Sequence, residues 1–318
     1  MVKENQYFIF DNPINEKNYI TRKIIYAIEN VRYSFALNAF KPKRIDRKKY
    51  YVSICAIFKN EARYMKEWIE FHRIIGIDHF YLYNNFSEDD YLSVLSPYIE
   101  QGIVTLIDWP NKQGQMKAYK DCAVKYGQET NWIAYIDFDE FIVPNARDDI
   151  KECLFEFENR PSVIAYWKLF GSSGLMSRNL NGLVIEDFYL CWRKFTNIGK
   201  YFYNTAYEYA DNLPQNTAMH NRWSQHEGHK LPPVNFYNHI ICCGIDVVDN
   251  NYPPVQINHY FTKSYSEYQE KKARGDAFFE LNPRDEEYFN WHDMKCQATD
   301  YNIRKYLIKL KKVMQINC

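Results

Sequence analysis

The stretch WIAYIDFDEFIVP, residues 132–144, decides how this chain is read. An apolar run suited to the interior of a sheet ends abruptly in Asp137, Asp139 and Glu140, and burying unpaired charge costs far more than a short strand returns. The carboxylates must therefore meet water, a cation or a partner. Side chains of an extended segment alternate with a period of two, so Asp137 and Asp139 are expected to project to the same side. Oxygen ligands at that spacing suit a hard divalent cation, Mg²⁺ or Mn²⁺, held by one or two carboxylates while phosphate oxygens and water complete the shell. No other Asp-x-Asp occurs in the chain.

Working outward, the segment before this strand alternates strands with helices. YYVSICAIF (residues 50–58) is a β-branched apolar strand, and the following NEARYMKEWIEFHRIIG places Tyr64, Trp68, Phe71 and Ile75 at helical spacing with Gly76 as the stop signal. HFYLYNN is the next strand, Ser87 with Asp90 resembles the start of a capping box, IVTLIDWP is a third strand, and a helix spans about Gln115 to Tyr126. Such alternation predicts right-handed βαβ units, hence an α/β fold with a mostly parallel sheet and helices on both faces. Ligands on such sheets bind at the carboxyl ends of the strands, where Asp137 stands.

Other strand ends carry groups that suit a nucleotide. FKNEA, Phe58 to Ala62, opens a helix whose amide N–H groups favour anions, and Asn60 and Glu61 can hydrogen-bond a base or ribose. The second strand ends in Asn84, Asn85 and Ser87. No GxGxxG or Walker-type glycine loop is present, which counts against dinucleotide and P-loop readings.

Bulk properties set the limits. A chain of 318 residues that is 46% hydrophobic can bury a large core, and 40 basic against 40 acidic residues leave no basic field for nucleic acid. Eight cysteines without a CxxC pair read as free thiols in a reducing compartment. With an acidic, proline-containing start and no stretch of about 20 apolar residues, the expectation is a soluble cytoplasmic protein, or one at the inner face of the membrane.

Taken together, CAIFKNEARYMKEWIEFHRIIGIDHFYLYNNFSEDD, YIEQGIVTLIDWP, QMKAYKDCAVKYGQETNWIAYIDFDEFIVP, WKLFGSSG, GLVIEDF and INHYFTKSYSEYQEKKARG resemble glycosyltransferase family 92 and the family 2-like glycosyltransferases of GT-A fold. The resemblance implies a Rossmann-like GT-A domain at residues 50–283, between an N-terminal extension (1–49) and a helical tail (284–318). It implies a UDP-sugar donor, with galactose favoured, a glycan acceptor and inversion at the anomeric carbon; the setting expected from the lack of a signal and membrane span is a surface polysaccharide or lipopolysaccharide pathway. In its terms Asp137 and Asp139 form the DxD motif with Mn²⁺ or Mg²⁺ on Asp139, Asp137 faces the ribose or the metal, and His259 completes the metal site. Gln115, Lys117 and Asp121 fit the family's donor side.

Lys263 is expected on the diphosphate, whereas Lys271, Lys272 and Arg274 read as a solvated helix face. Glu186, with Asp187 beside it, is the expected general base because it ends the apolar run GLVIEDF. HEGH at His226 to His229 lacks the HExxH spacing of a zinc helix, and the polar, aromatic stretch 198–240 reads as the acceptor region. YLIKLKKVM in the tail reads as a packing helix, with a weak contact to an anionic membrane as the alternative. The competing functions are a nucleotidyltransferase and a non-catalytic nucleotide- or sugar-binding module on the same fold.

Overall fold

The computed structural model describes residues 19–179, 181–213, 220–242, 252–275 and 284–316. Residues 1–18 of the expected extension, 214–219 of the histidine-rich stretch and the boundary at 283 lie outside them. The described part opens with a helix the sequence reading did not foresee, α1 (Tyr19–Ala39). It continues β1 (Tyr50–Phe58), α2 (Ala62–Ile74), β2 (His79–Asn84), α3 (Tyr91–Glu100), β3 (Val104–Asp108), α4 (Gln115–Tyr126) and β4 (Thr130–Tyr135). Then come β5 (Glu140–Pro144), α5 (Ile150–Phe155), β6 (Ser162–Leu169), α6 (Val184–Asp187), β7 (Leu190–Cys191), β8 (Gly199–Asn204), β9 (Ser224–His226), β10 (His229–Leu231), β11 (Val234–Asn235) and β12 (Val255–His259). The carboxyl-terminal part adds α7 (Tyr265–Arg274), α8 (Glu286–Met294), β13 (Ala298–Thr299) and α9 (Leu307–Met314).

The main sheet runs β3-β2-β1-β4-β8-β6-β12-β5, with β11 on β6. The first four strands are mutually parallel, as the βαβ pattern requires. Period-two alternation splits β1 between two cores. Val52, Ile54, Ala56 and Phe58 meet α2 and α3 on one face, while Cys55 and Ile57 meet Ala118, Tyr119 and Cys122 of α4 on the other. Helices thus cover both faces of the parallel half.

Alternation ends at β4. Strand β8 enters antiparallel to both β4 and β6, and β12 runs parallel to β6 and antiparallel to β5. This insertion shows that residues Gly199–Asn204, at the start of the stretch 198–240 read as the acceptor region, form a strand and not a loop. Tyr201, Phe202 and Tyr203 are buried because they belong to a central strand. Gly199 at its start is forced, since a methyl group there would collide with the carbonyl oxygen of Ala165.

Two local expectations also change. Asp90 occupies the N-cap of α3, and the Ser87 hydroxyl accepts a bond from the Asn60 amide at 3.0 Å, so the proposed capping box is a loop tie instead. GLVIEDF forms the short helix α6, not a strand. In the tail, α9 buries Leu310 in the core shared with α2, and Lys311 reaches Glu186 at 2.7 Å, as suits a packing helix.

One edge of the sheet now gathers several chain ends. Strands β4 and β12 finish there, and β5 and β8, running the other way, begin there. The residues just after the first pair and at the start of the second are therefore neighbours, whatever their separation in sequence.

Candidate active site

The acidic stretch turns where an extended run was expected. The Glu140 amide donates to the Asp137 carbonyl at 3.0 Å, and the Asp137 amide donates to Glu140 Oε2 at 3.0 Å. Within this turn the two aspartates part company. Asp137 Oδ2 pairs with Lys200 at 2.7 Å and its Oδ1 accepts from Gln115 at 3.0 Å. Asp139 instead pairs with Lys271 of α7.

Strand pairing supplies the partners of Asp139. Register sets His259, the last residue of β12, opposite Glu140, the first of β5, and the Tyr260 amide donates to the Asp139 carbonyl at 2.8 Å. His259 Nε2 lies 3.5 Å from Asp139 Oδ2, and its Nδ1 lies 3.9 Å from Glu140 Oε1. Ligand atoms of Asp139, Glu140 and His259 all fall within 4.8 Å of one another. All three residues are buried. Glu140 replaces Asp137 in the cluster expected from sequence.

Electrostatics mark the cluster as incomplete in charge. Burial pushes Asp139 up, but Lys271, His259 and Lys263 outweigh it and hold this carboxyl well below the usual carboxylate range. Glu140 goes the other way: burial, with Asp137 and Asp139 adding to it, overrides Lys200 and raises it well above its ordinary value. Burial also lowers His259, which favours the neutral imidazole that can ligate a metal. Glu140 Oε1 and His259 Nδ1 are buried without hydrogen-bond partners, an arrangement that costs stability unless something binds between them. Two carboxylates and an imidazole, with orphaned atoms facing one another, fit a divalent cation.

Beside the cluster opens a cleft of about 190 Å³ lined by Asn60, Arg63, Lys263, Lys271 and Arg274, among others. Lys263 sits 4.2 Å over the Tyr64 ring, and burial, against the charges of Glu61 and Asp139, lowers it to about 8. Arg274 binds Glu61 and the Asn60 carbonyl. Lys271 and Arg274, read from sequence as a solvated face, therefore turn into the site. Their three-residue spacing, with Glu267 one turn earlier, was the signal on α7.

The remaining expected residues serve the frame. Phe58 packs edge-on against Tyr91 and Phe138 in the core, so it offers no face to a base. Asn84 donates to Tyr91 and Asp108 and accepts from the Ser87 amide, spending its polar groups on the loop. Asp121 accepts from Tyr83 at 2.9 Å and pairs with Lys125 on α4, while Lys117 is exposed. Glu186 is held by Lys311, and Asp187 meets Arg178 at 3.4 Å, whose Nε reaches Glu267 of the cleft at 3.0 Å. Folding as α6 thus places Asp187, expected with Glu186 as the general base, one guanidinium behind the cleft, and Glu186 against α9. Lys200, missed in the sequence, neutralises Asp137 and lies 3.4 Å from Glu140. HEGH forms the β9–β10 turn with His229 stacked on Phe40. Among the described residues, Asp139, Glu140 and His259 form the one cluster of metal-ligating side chains.

Residues 48–274 match the family described as Glycosyltransferase family 92. A family 92 protein from Ricinus communis is 29% identical over 143 residues, covering 43% of this chain and 26% of that protein. A β-1,4-galactosyltransferase of Caenorhabditis elegans is 34% identical over 113 residues, covering 31% and 27%. A galactan β-1,4-galactosyltransferase of Arabidopsis thaliana is 27% identical over 135 residues, covering 39% and 26%. The chain spans about a quarter of the length of these curated relatives. Among solved structures, S. aureus TarS aligns over 49% of this chain and 47% of that one at 14% identity and a TM-score of 0.35.

Proposed function

Because the chain belongs to glycosyltransferase family 92, we propose that it moves a hexose, with galactose favoured, from a UDP-sugar to a glycan hydroxyl with inversion. The observation that carries this reading is that Lys271 belongs to two places at once. It pairs with Asp139 of the ligand cluster and lines the basic cleft, so a cation site and an anion site share a wall. A diphosphate with its counter-ion has that polarity.

Asp139, Glu140 and His259 would hold the divalent ion, Mn²⁺ or Mg²⁺. Bound there, it would supply positive charge to the diphosphate as the glycosidic bond breaks. Lys263, Lys271 and Arg274 would take the remaining phosphate oxygens. Lys200 and Gln115 hold both oxygens of Asp137, which would serve to brace the acidic turn. Glu267 is a poor base, because burial is outweighed by Ser264, Arg178 and Tyr64 and its carboxyl is held at about 2. The names of the two galactosyltransferase relatives support the choice of sugar.

The test is UDP release from a panel of UDP-sugars in Mn²⁺ or in EDTA, comparing wild type with Asp139→Ala. Metal-dependent consumption of one donor, lost in the variant, is the expected result. Release of pyrophosphate from a nucleoside triphosphate would instead assign a nucleotidyltransferase, and UDP binding without turnover in the presence of glycan acceptors a binding module.

A further inference from the structure

Helix α1 has two apolar faces, and one of them packs on the rest of the described residues. Tyr33 meets Trp223 edge-on at 5.1 Å, Leu37 is 1% exposed, and Phe40, just past the helix end, stacks on His229 at 3.5 Å. Ile24, Ile28, Val31 and Phe35 recur at the four- and three-residue steps of a second stripe, half a turn away from the first. They are 55%, 62%, 73% and 72% exposed, and Ile25 on their flank is 47% exposed. A contiguous exposed stripe of large aliphatic and aromatic groups marks a contact surface, unlike single exposed apolar residues.

Two observations choose its occupant. The segment directly after α1 exposes Lys41, Lys43, Arg44, Arg47 and Lys49 against one exposed acid, Asp46. An anionic surface would be attracted to them. The stripe is also short, about 18 Å of helix, and four or five side chains fall well below the roughly 20–30 residues a side of a stable protein interface. None of the described helices is long and apolar enough to cross a membrane. A two-faced helix of this kind suits the plane of an interface.

We propose that α1 lays its Ile24, Ile28, Val31 and Phe35 face into the surface of an anionic membrane, with the basic residues of 41–49 at the headgroups. Tyr33 and Leu37 hold the body of the protein to the opposite side of the same helix. The proposal is independent of the reaction proposed above, and its failure would leave that reading intact.

The test is flotation of the full chain with vesicles of equal phosphatidylcholine and phosphatidylserine, and with vesicles of phosphatidylcholine alone. The chain is expected to float with the first, less so with added salt, and hardly with the second. The double substitution Ile28→Glu/Phe35→Glu, at exposed positions, should lower partitioning at least about tenfold with an unchanged melting temperature. Lys41→Glu/Lys43→Glu should weaken binding to the anionic vesicles only. No flotation of the wild type, or flotation unaffected by Ile28→Glu/Phe35→Glu, would overturn the proposal. So would a concentration-dependent dimer in sedimentation that this double substitution abolishes, which would give the stripe to a second copy.

Discussion

The two halves of the sheet use their strand ends differently. In the parallel half, Asn60, Asn84, Asn85 and Ser87 stand at the carboxyl edge, and their polar groups are largely spent on one another and on nearby backbone. In the mixed half, the same edge collects Asp139, Glu140, Lys200 and His259, leaves Glu140 Oε1 and His259 Nδ1 without partners, and opens onto a basic cleft. The parallel half spends most of its polar groups on its own loops, Glu61 Oε2 and Asp89 Oδ1 excepted, while the mixed half leaves two ligand atoms facing one another. Antiparallel insertion is the cause, because it brings strand beginnings to the edge where other strands end.

That contrast breaks first in turnover. Asp139→Asn should cut donor consumption by about a thousandfold, the scale of several kcal/mol of charge stabilisation lost, and should also lower the urea midpoint, because it breaks the buried pair with Lys271. Next comes Lys200→Met, which takes the shared cation from half-buried Asp137 and leaves Glu140 in the interior without it. Breaking a buried pair in this way costs about 3–5 kcal/mol of stability, read from the urea midpoint, and saturating Mn²⁺ should return part of it.

A titration sharpens the comparison away from the site. Glu67 on α2 accepts from the amides of Val184 and Ile185 at 2.8 and 3.0 Å, yet burial outweighs those bonds and raises its carboxyl from 4.5 to about 7. The folded state therefore binds this proton more tightly than the unfolded chain. Its stabilisation is complete below pH 4.5 and is lost as pH rises through about 7, a swing of about 3 kcal/mol. Urea unfolding of wild type across that window should show the slope, and Glu67→Gln should flatten it. The smallest effect belongs to the parallel edge. Ser87→Ala, which removes the acceptor of the Asn60 amide, should cost about 1 kcal/mol and leave donor turnover unchanged.

Legibility in the sequence follows the same division. Strands β1 to β4 and helices α2 to α4 could be read because each periodic run pairs with the next, and the helix from Gln115 to Tyr126 ends where the pattern says. Tyr201 to Tyr203 could not, because β8 pairs with strands whose residues lie far off in sequence, and its aromatic run resembles a sugar-stacking loop. Asp139 and His259 were legible from a motif and a resemblance. Their relation to Glu140 was not, because a turn at Phe138 and Asp139 breaks the alternation that an extended segment would keep. Lys271 was discounted for sitting in a charged helix, where only the fold says which charges face inward. Helix α1 went unread because its two stripes, taken together, look like no stripe at all.

The most direct test is calorimetric titration of Mn²⁺, with UDP present, into wild type, Asp137→Asn and His259→Ala. His259→Ala should weaken metal binding by at least about tenfold while Asp137→Asn changes it little. Loss of binding in Asp137→Asn with His259→Ala unaffected would contradict it, and would return the metal to the aspartate pair and away from the β5–β12 junction.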